Sequence, residues 1–153
     1  MDIAALEAEE AGLIFERFDE GKALALGQKL VELGLTRSHP IVIDIRTADR
    51  TLFHAGLPGS APLNDLWARR KSNTALLFQE ASLLVGARHR AKGETLAKHG
   101  LDTAEYADHG GAVPVRVRVL GVVEVATVSG LPQLEDHRLV AGALRTLIAT
   151  PAG

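Results

Sequence analysis

The sequence predicts an α+β fold, an antiparallel sheet of about five strands flanked by helices in one compact domain, and three observations lead there. Helical stretches and β-branched runs interleave in the order helix, strand, helix, two strands, two helices, two strands, helix, with no repeated β-α-β unit of the kind that builds a parallel nucleotide-binding sheet. Four of the five strands pair off as hairpins, which join antiparallel neighbours. The chain of 153 residues has the size of one domain, and its 46% hydrophobic and 24% charged residues give an ordinary globular balance.

Residues 2–10 have helical composition, and Leu13 to Phe18 is a short apolar-aromatic stretch expected to form an edge strand. Asp19 is expected to cap a helix running to about Leu33, with Leu24, Leu26, Leu30, Val31 and Leu33 along it and Gly34 as its stop. Ile41 to Ile45 follows Pro40 as a β-branched run, and Thr51 to Ala55 answers it across the polar turn Thr47 to Arg50, a hairpin pattern. Gly56, Pro58 and Gly59 then break the chain. Ser60 and Pro62 supply the cap and first-turn proline of a helix to about Phe78.

A second helical stretch covers roughly Ala81 to Arg90. Residues 91–111, with Gly93, Gly100, Gly110 and Gly111, read as loop, with room for one helical turn at Glu94 to Lys98. Val113 to Val119 alternates apolar with polar, Gly121 turns the chain, and Val122 to Val128 runs back as a second hairpin. Pro132 opens the last helix, in which Leu134, Val140, Leu144, Leu147 and Ile148 recur at helical intervals. Glu135 and Asp136 sit near its positive N-terminal end, where acidic groups are favoured.

Composition excludes several functions. Lys and Arg total 17 against 19 Asp and Glu, a formal charge of −2, so there is no positive field to hold a nucleic-acid backbone or an anionic membrane. The absence of cysteine removes disulfides, Fe–S clusters, thiolate zinc sites and a cysteine nucleophile. The N-terminal stretch is acidic where an export signal needs a basic region, and no apolar run approaches the ~18 residues that span a bilayer. A soluble, cytoplasmic protein is expected, with neither nucleic acid nor membrane as partner.

Chemistry, if present, must be sought away from the standard signatures. There is no Gly-x-Ser-x-Gly elbow, no Gly-x-x-x-x-Gly-Lys-[Ser/Thr] loop and no Gly-x-Gly-x-x-Gly fingerprint. The six histidines form no His-x-His or His-Glu-x-x-His pair, which argues against zinc. A haem iron needs as little as one protein ligand. His54, His109 and His137, beside turns or helix starts, are the candidates for it, against the plainer reading that each is structural or solvated.

Two glycine-bearing segments expose backbone amides: His109-Gly110-Gly111, and Ser129-Gly130-Leu131-Pro132 at the entry to the last helix, where orphan amides and the helix dipole favour an anion. The alternative is that these glycines only permit tight turns. In Trp67 to Asn73, Arg69 or Arg70 can grip a carboxylate of a ligand or of a neighbouring subunit, or the three cations of that stretch simply solvate a helix face.

Taken in order, Phe53-His54-Ala55-Gly56, Asn64 to Thr74, His109-Gly110-Gly111, and Val128 to Gln133 with Asp136-His137 resemble uncharacterised protein family 0303, within the haem-degrading-domain superfamily of GlcG/HbpS-like proteins. The resemblance spans almost the whole chain, residues 1–153 as a single such domain. The positions it carries over are His54, Asn64, Trp67, Arg69, Arg70, Lys71, Asn73, His109, Gly110, Gly111, Ser129, Gly130, Asp136 and His137. Where the family tends to show Ser-Phe-Pro, this chain has Ala112-Val113-Pro114, without the aromatic.

The resemblance implies an antiparallel sheet flanked by helices, a homo-oligomer, and haem binding or degradation. Three functions follow. The first is a binder of haem or another carboxylate-bearing compound, with Arg69, Arg70, Asn73, His109, Gly110, Gly111, Ser129, Gly130, Asp136 and His137 around the ligand and His54, His109 or His137 at the iron. The second is an enzyme in which haem iron does the chemistry. The third is a non-enzymatic oligomeric scaffold, using Trp67 and the arginines in subunit contacts.

Overall fold

The computed structural model describes residues 2–150. Within them the helical stretches become α1 (Ile3–Gly12), α2 (Glu20–Thr36), α3 (Pro62–Phe78), α4 (Ser82–Lys92) and α5 (Gln133–Ala149), with a 3-10 turn at Leu96–His99. The strands are β1 (Ile14–Phe15), β2 (Val42–Arg46), β3 (Thr51–Gly56), β4 (Ala112–Val117) and β5 (Gly121–Ser129), forming one sheet in the order β1-β4-β5-β2-β3. Both expected hairpins are present, and β2 joins them by pairing antiparallel with β5, Val42 opposite Ser129.

The sheet is mixed rather than purely antiparallel, which corrects the sequence-based expectation. β1 runs parallel to β4, with Ile14 opposite Arg116 and Phe15 opposite Val117. Two residues carry no directional signal, and the direction is set by tertiary packing. Leu13 and Phe15 are buried in the main core, and the peptide carbonyl of Phe15 accepts from the Arg118 amide at 2.9 Å.

Alternation along the strands sorts their side chains to two faces. Ile43 and Ile45 of β2, Val113 and Val115 of β4, and Ala126 and Val128 of β5 point to one face, where Leu26 and Leu30 of α2 and Val140 and Leu144 of α5 complete the main core. The other face receives α3, on which Ala75 meets Ala112 and Val125. That second layer is polar in places: Ser72 Oγ lies 2.8 Å from Thr127 Oγ1, deep under the helix.

The helix ends show where local signals hold and where packing overrides them. Asp19 caps α2, its carboxylate accepting from the Lys22 amide at 2.9 Å. Gly34 does not stop that helix; it lies inside it, buried where an added methyl would overlap Leu57. Ser60 is not the cap of α3 either, since its hydroxyl donates to the Leu57 carbonyl, while the Asn64 side-chain oxygen accepts from the Ala61 amide at 2.8 Å. Among the described residues no helix is long and apolar enough to cross a membrane.

Candidate functional site

The polar side of α3 and the start of α5 meet at the end of β5, and a buried ion pair joins them. Lys71 follows the inward-facing Ala68 by one turn and is only 4% exposed. Its Nζ donates to Asp136 Oδ2 at 3.0 Å, and Asp136 is fully buried. The other carboxylate oxygen, Oδ1, accepts from the Leu131 amide at 3.0 Å. Burial pushes the Asp136 carboxyl above its ordinary value, while Lys71 and the Leu131 and Gly130 amides pull the other way.

At the turn Ser129 to Pro132, where an anion is expected, the chain brings a carboxylate of its own. The Leu131 amide donates to Asp136, and the Gly130 amide also stabilises its carboxylate. Gly130 is held at φ 142°, where an added Cβ would stand 2.5 Å from the Pro40 carbonyl oxygen, a position only glycine fills without strain.

Beside the ion pair opens a cavity of about 290 Å³, lined by Asn64, Trp67, Lys71, His109, Ser129, Gly130, Leu131, Gln133 and Asp136. His109 is half-exposed at its rim. The imidazole meets the Trp67 ring edge-on at 5.3 Å between centroids, and the Arg70 guanidinium lies over the same indole at 4.3 Å. Partial burial lowers the His109 pKa; Arg90, Lys71 and Arg70 lower it further, and Asp108 opposes them. Asp108 Oδ1 is 3.7 Å from His109 Nδ1, beyond hydrogen-bond reach, so the ring makes no hydrogen bond among the described residues.

The glycines after His109 let the site close. The Gly110 amide donates to Gln133 Oε1 at 2.9 Å, tying the loop to α5. Gly111 has φ 143°, and a Cβ there would stand 3.0 Å from Lys71 Nζ, in the path of the lysine.

The structure thus gathers His109, Ser129, Gly130 and Asp136 around one cavity, with Gly110 and Gly111 shaping its wall and Arg70 behind Trp67. It places the other candidates elsewhere. Arg69 is exposed, 4.0 Å from Glu105, and Asn73 donates to the Glu105 carbonyl at 2.8 Å. Both strap the 101–108 loop. His137 is fully buried on another side of α5, where Nε2 lies 2.6 Å from Glu9 Oε1.

His54 sits between two carboxylates, Nδ1 at 3.0 Å from Asp44 and Nε2 at 2.9 Å from Asp65. Burial opposes its protonation, but the two carboxylates outweigh that and raise its pKa above the ordinary histidine value. Both ring nitrogens are engaged by carboxylates of the chain itself.

Asn64, Trp67, Lys71, Leu131 and Gln133 also line the cavity, beyond the ligand candidates that the sequence offers. The signal for Lys71 lay in its place on α3, one turn after Ala68 on the packed face, where an unpaired cation is not tolerated. A larger groove of about 510 Å³ runs between α2 and α5, lined by Lys29, Arg37, His39 and Arg138 among others. It contains none of the candidates, and none of the charged side chains that line it is buried.

The family model described as haem degrading protein HbpS-like matches residues 18–145. A UPF0303 protein of Streptomyces coelicolor is 52% identical over 147 residues, 95% of this chain and 93% of the relative. The crystal structure of the Ybr137w protein superposes with a TM-score of 0.88 at 31% identity, covering 97% of this chain and 88% of that one. That of a PduOC:heme complex shares the fold with a TM-score of 0.66 at 18% identity, over 82% of this chain and 91% of the other. The chain belongs to the HbpS-like haem-degrading protein family, alongside the UPF0303 proteins.

Proposed function

We propose that the cavity beside Lys71 and Asp136 binds a carboxylate-bearing ligand, haem foremost, with His109 as the group that faces the iron. One observation carries this reading: His109 is a half-exposed imidazole at the cavity rim whose ring nitrogens have no hydrogen bond among the described residues, beside Trp67 and the Arg70 guanidinium. His54 and His137 lack that combination. The family supports the same ligand, as does the fold shared with a protein solved as a haem complex.

The residues fit a haem in chemistry and partly in size. An imidazole serves as the axial ligand, and guanidinium groups suit its carboxylates. Arg70 Nε is buried without a partner among the described residues, leaving a donor beside the indole. The volume stands at the low end of the ~300–1,000 Å³ typical of ligand pockets, so it takes the edge of a macrocycle or the whole of a smaller anion. When bound, haem supplies the iron chemistry. The protein disfavours protonation of His109, orients it against Trp67, and fixes the cavity floor through Lys71 and Asp136.

A haemin titration followed by absorbance tests this. The expected result is a saturable Soret shift at one haem per chain, lost in His109→Ala and retained in His54→Ala. A shift that survives His109→Ala, or a titration matching free haemin, overturns it.

The scaffold reading draws on a different observation. Leu63 and Leu66 of α3 are exposed near the cavity, and Val119 and Leu120 stand out at the β4–β5 tip, Val119 at 99% exposure. Such apolar positions suit contacts between copies of the chain. Light scattering behind a sizing column would give an assembly larger than one chain, reduced by Val119→Asp with Leu120→Asp. A monomer unaffected by these changes contradicts the reading.

A further inference from the structure

Away from the cavity, two histidines that neither the fold nor the ligand site uses face each other. His89, in the last turn of α4, is 4% exposed; His99 ends the 3-10 turn and is exposed. Their Nε2 atoms are 3.0 Å apart. Asp108 Oδ2 lies 2.8 Å from His89 Nδ1, and Phe78 walls both rings edge-on, at 6.0 Å from His89 and 5.3 Å from His99.

With Nδ1 facing the Asp108 carboxylate, the His89 ring directs Nε2, the nitrogen a metal would use, at His99. A carboxylate behind an imidazole is the outer-shell arrangement that orients metal-bound histidines. Metal–nitrogen bonds of 2.0–2.1 Å in tetrahedral geometry hold two such nitrogens about 3.3 Å apart. The observed pair needs to open by only about 0.3 Å to match it.

The backbone presents His99 independently of that contact. Gly93 at φ 65° and Gly100 at φ 74° bracket the turn in left-handed conformations, and the Glu94 amide donates to the His89 carbonyl at 2.9 Å. Among the described residues no third histidine or carboxylate joins them closely enough to make a three-ligand cluster. Any ion held here therefore keeps water in its remaining positions, on the solvent side away from Phe78.

We propose that His89 and His99 hold a divalent transition-metal ion of the zinc or nickel type between their Nε2 atoms. Imidazole suits such borderline ions, while calcium and magnesium call for oxygen ligands. An ion here ties α4 to the 93–111 loop, the segment that carries His109.

Calorimetric titration with Zn²⁺ tests the site in the wild type, His99→Gln and His109→Gln. His99 is exposed, so its variant is expected to fold; His89→Gln removes a buried side chain and is a weaker control. The proposal expects one Zn²⁺ per chain, bound roughly tenfold or more weakly in His99→Gln, since even outer-shell changes cost that much, and unchanged in His109→Gln. Absence of stoichiometric binding, or an affinity indifferent to His99→Gln, overturns it. Loss of binding in His109→Gln alone would place the ion at the cavity and overturn it equally. The readout involves no haem, so it fails or succeeds separately from the Soret titration.

Discussion

At the scale of single residues, the buried pair Lys71–Asp136 decides whether the site exists. Breaking a buried pair by removing one partner typically costs about 3–5 kcal/mol, because it strands a charge away from water. Lys71→Met is therefore expected to lower the denaturation midpoint sharply. Lys71→Met with Asp136→Asn recovers part of the loss, since the amide is uncharged and its oxygen still accepts from Leu131. Urea denaturation of both variants checks this, and equal stability of the two would contradict it.

Glu124 offers a second test at this scale. It is 7% exposed on β5, and burial, with the charges of Glu20 and Asp19, pushes its pKa up to about 7. Its folded pKa exceeds its unfolded one, so the folded state binds the extra proton and wild-type stability falls as pH rises from the ordinary carboxylate range through about 7. Glu124→Gln, which cannot ionise, is expected to gain on the wild type over that window and to melt higher at pH 8. A melting difference that does not change with pH would show that Glu124 is ionised throughout.

The same scale shows why the site was only partly legible. His109, Gly110, Gly111, Ser129 and Gly130 stand in glycine-marked segments whose turns draw notice in a sequence. Lys71 and Asp136 are 65 positions apart, and nothing local says that each is the other's counter-charge. Asp136 is legible as an acidic residue near a helix start, but nothing local says that it accepts from the Leu131 amide of the preceding turn.

At the scale of elements, periodicity located the helices and hairpins, and packing settled what periodicity could not. Gly27 and Gly34 both lie inside α2, beneath Phe53 and Leu57. On propensity alone Gly27→Ala stabilises a helix by about 1 kcal/mol. Here the methyl meets the Phe53 ring, and overpacking of this kind costs roughly 1–3 kcal/mol, so the variant is expected to be less stable than wild type. A rise in melting temperature would mean that Phe53 moves aside freely. The parallel pairing of β1 was illegible for a related reason: Ile14 and Phe15 are placed by burial, not by a turn.

At the scale of the whole molecule, one sheet carries an apolar core on the α2 and α5 face and a partly polar layer under α3, and the cavity opens where that layer meets the start of α5. This arrangement collects residues from three distant segments, α3, the 93–111 loop and the turn after β5. No single motif in the sequence describes it. The proposed ligand follows the family's description, and His109 is the one histidine that lines the cavity among the described residues.

The most direct test of that central claim is a crystal structure of the protein grown with haemin. The expected density places the iron bonded to a ring nitrogen of His109, with haem carboxylates turned toward Arg70 or Arg90. Haemin seated instead in the α2–α5 groove against His39, or on no defined site, would contradict it.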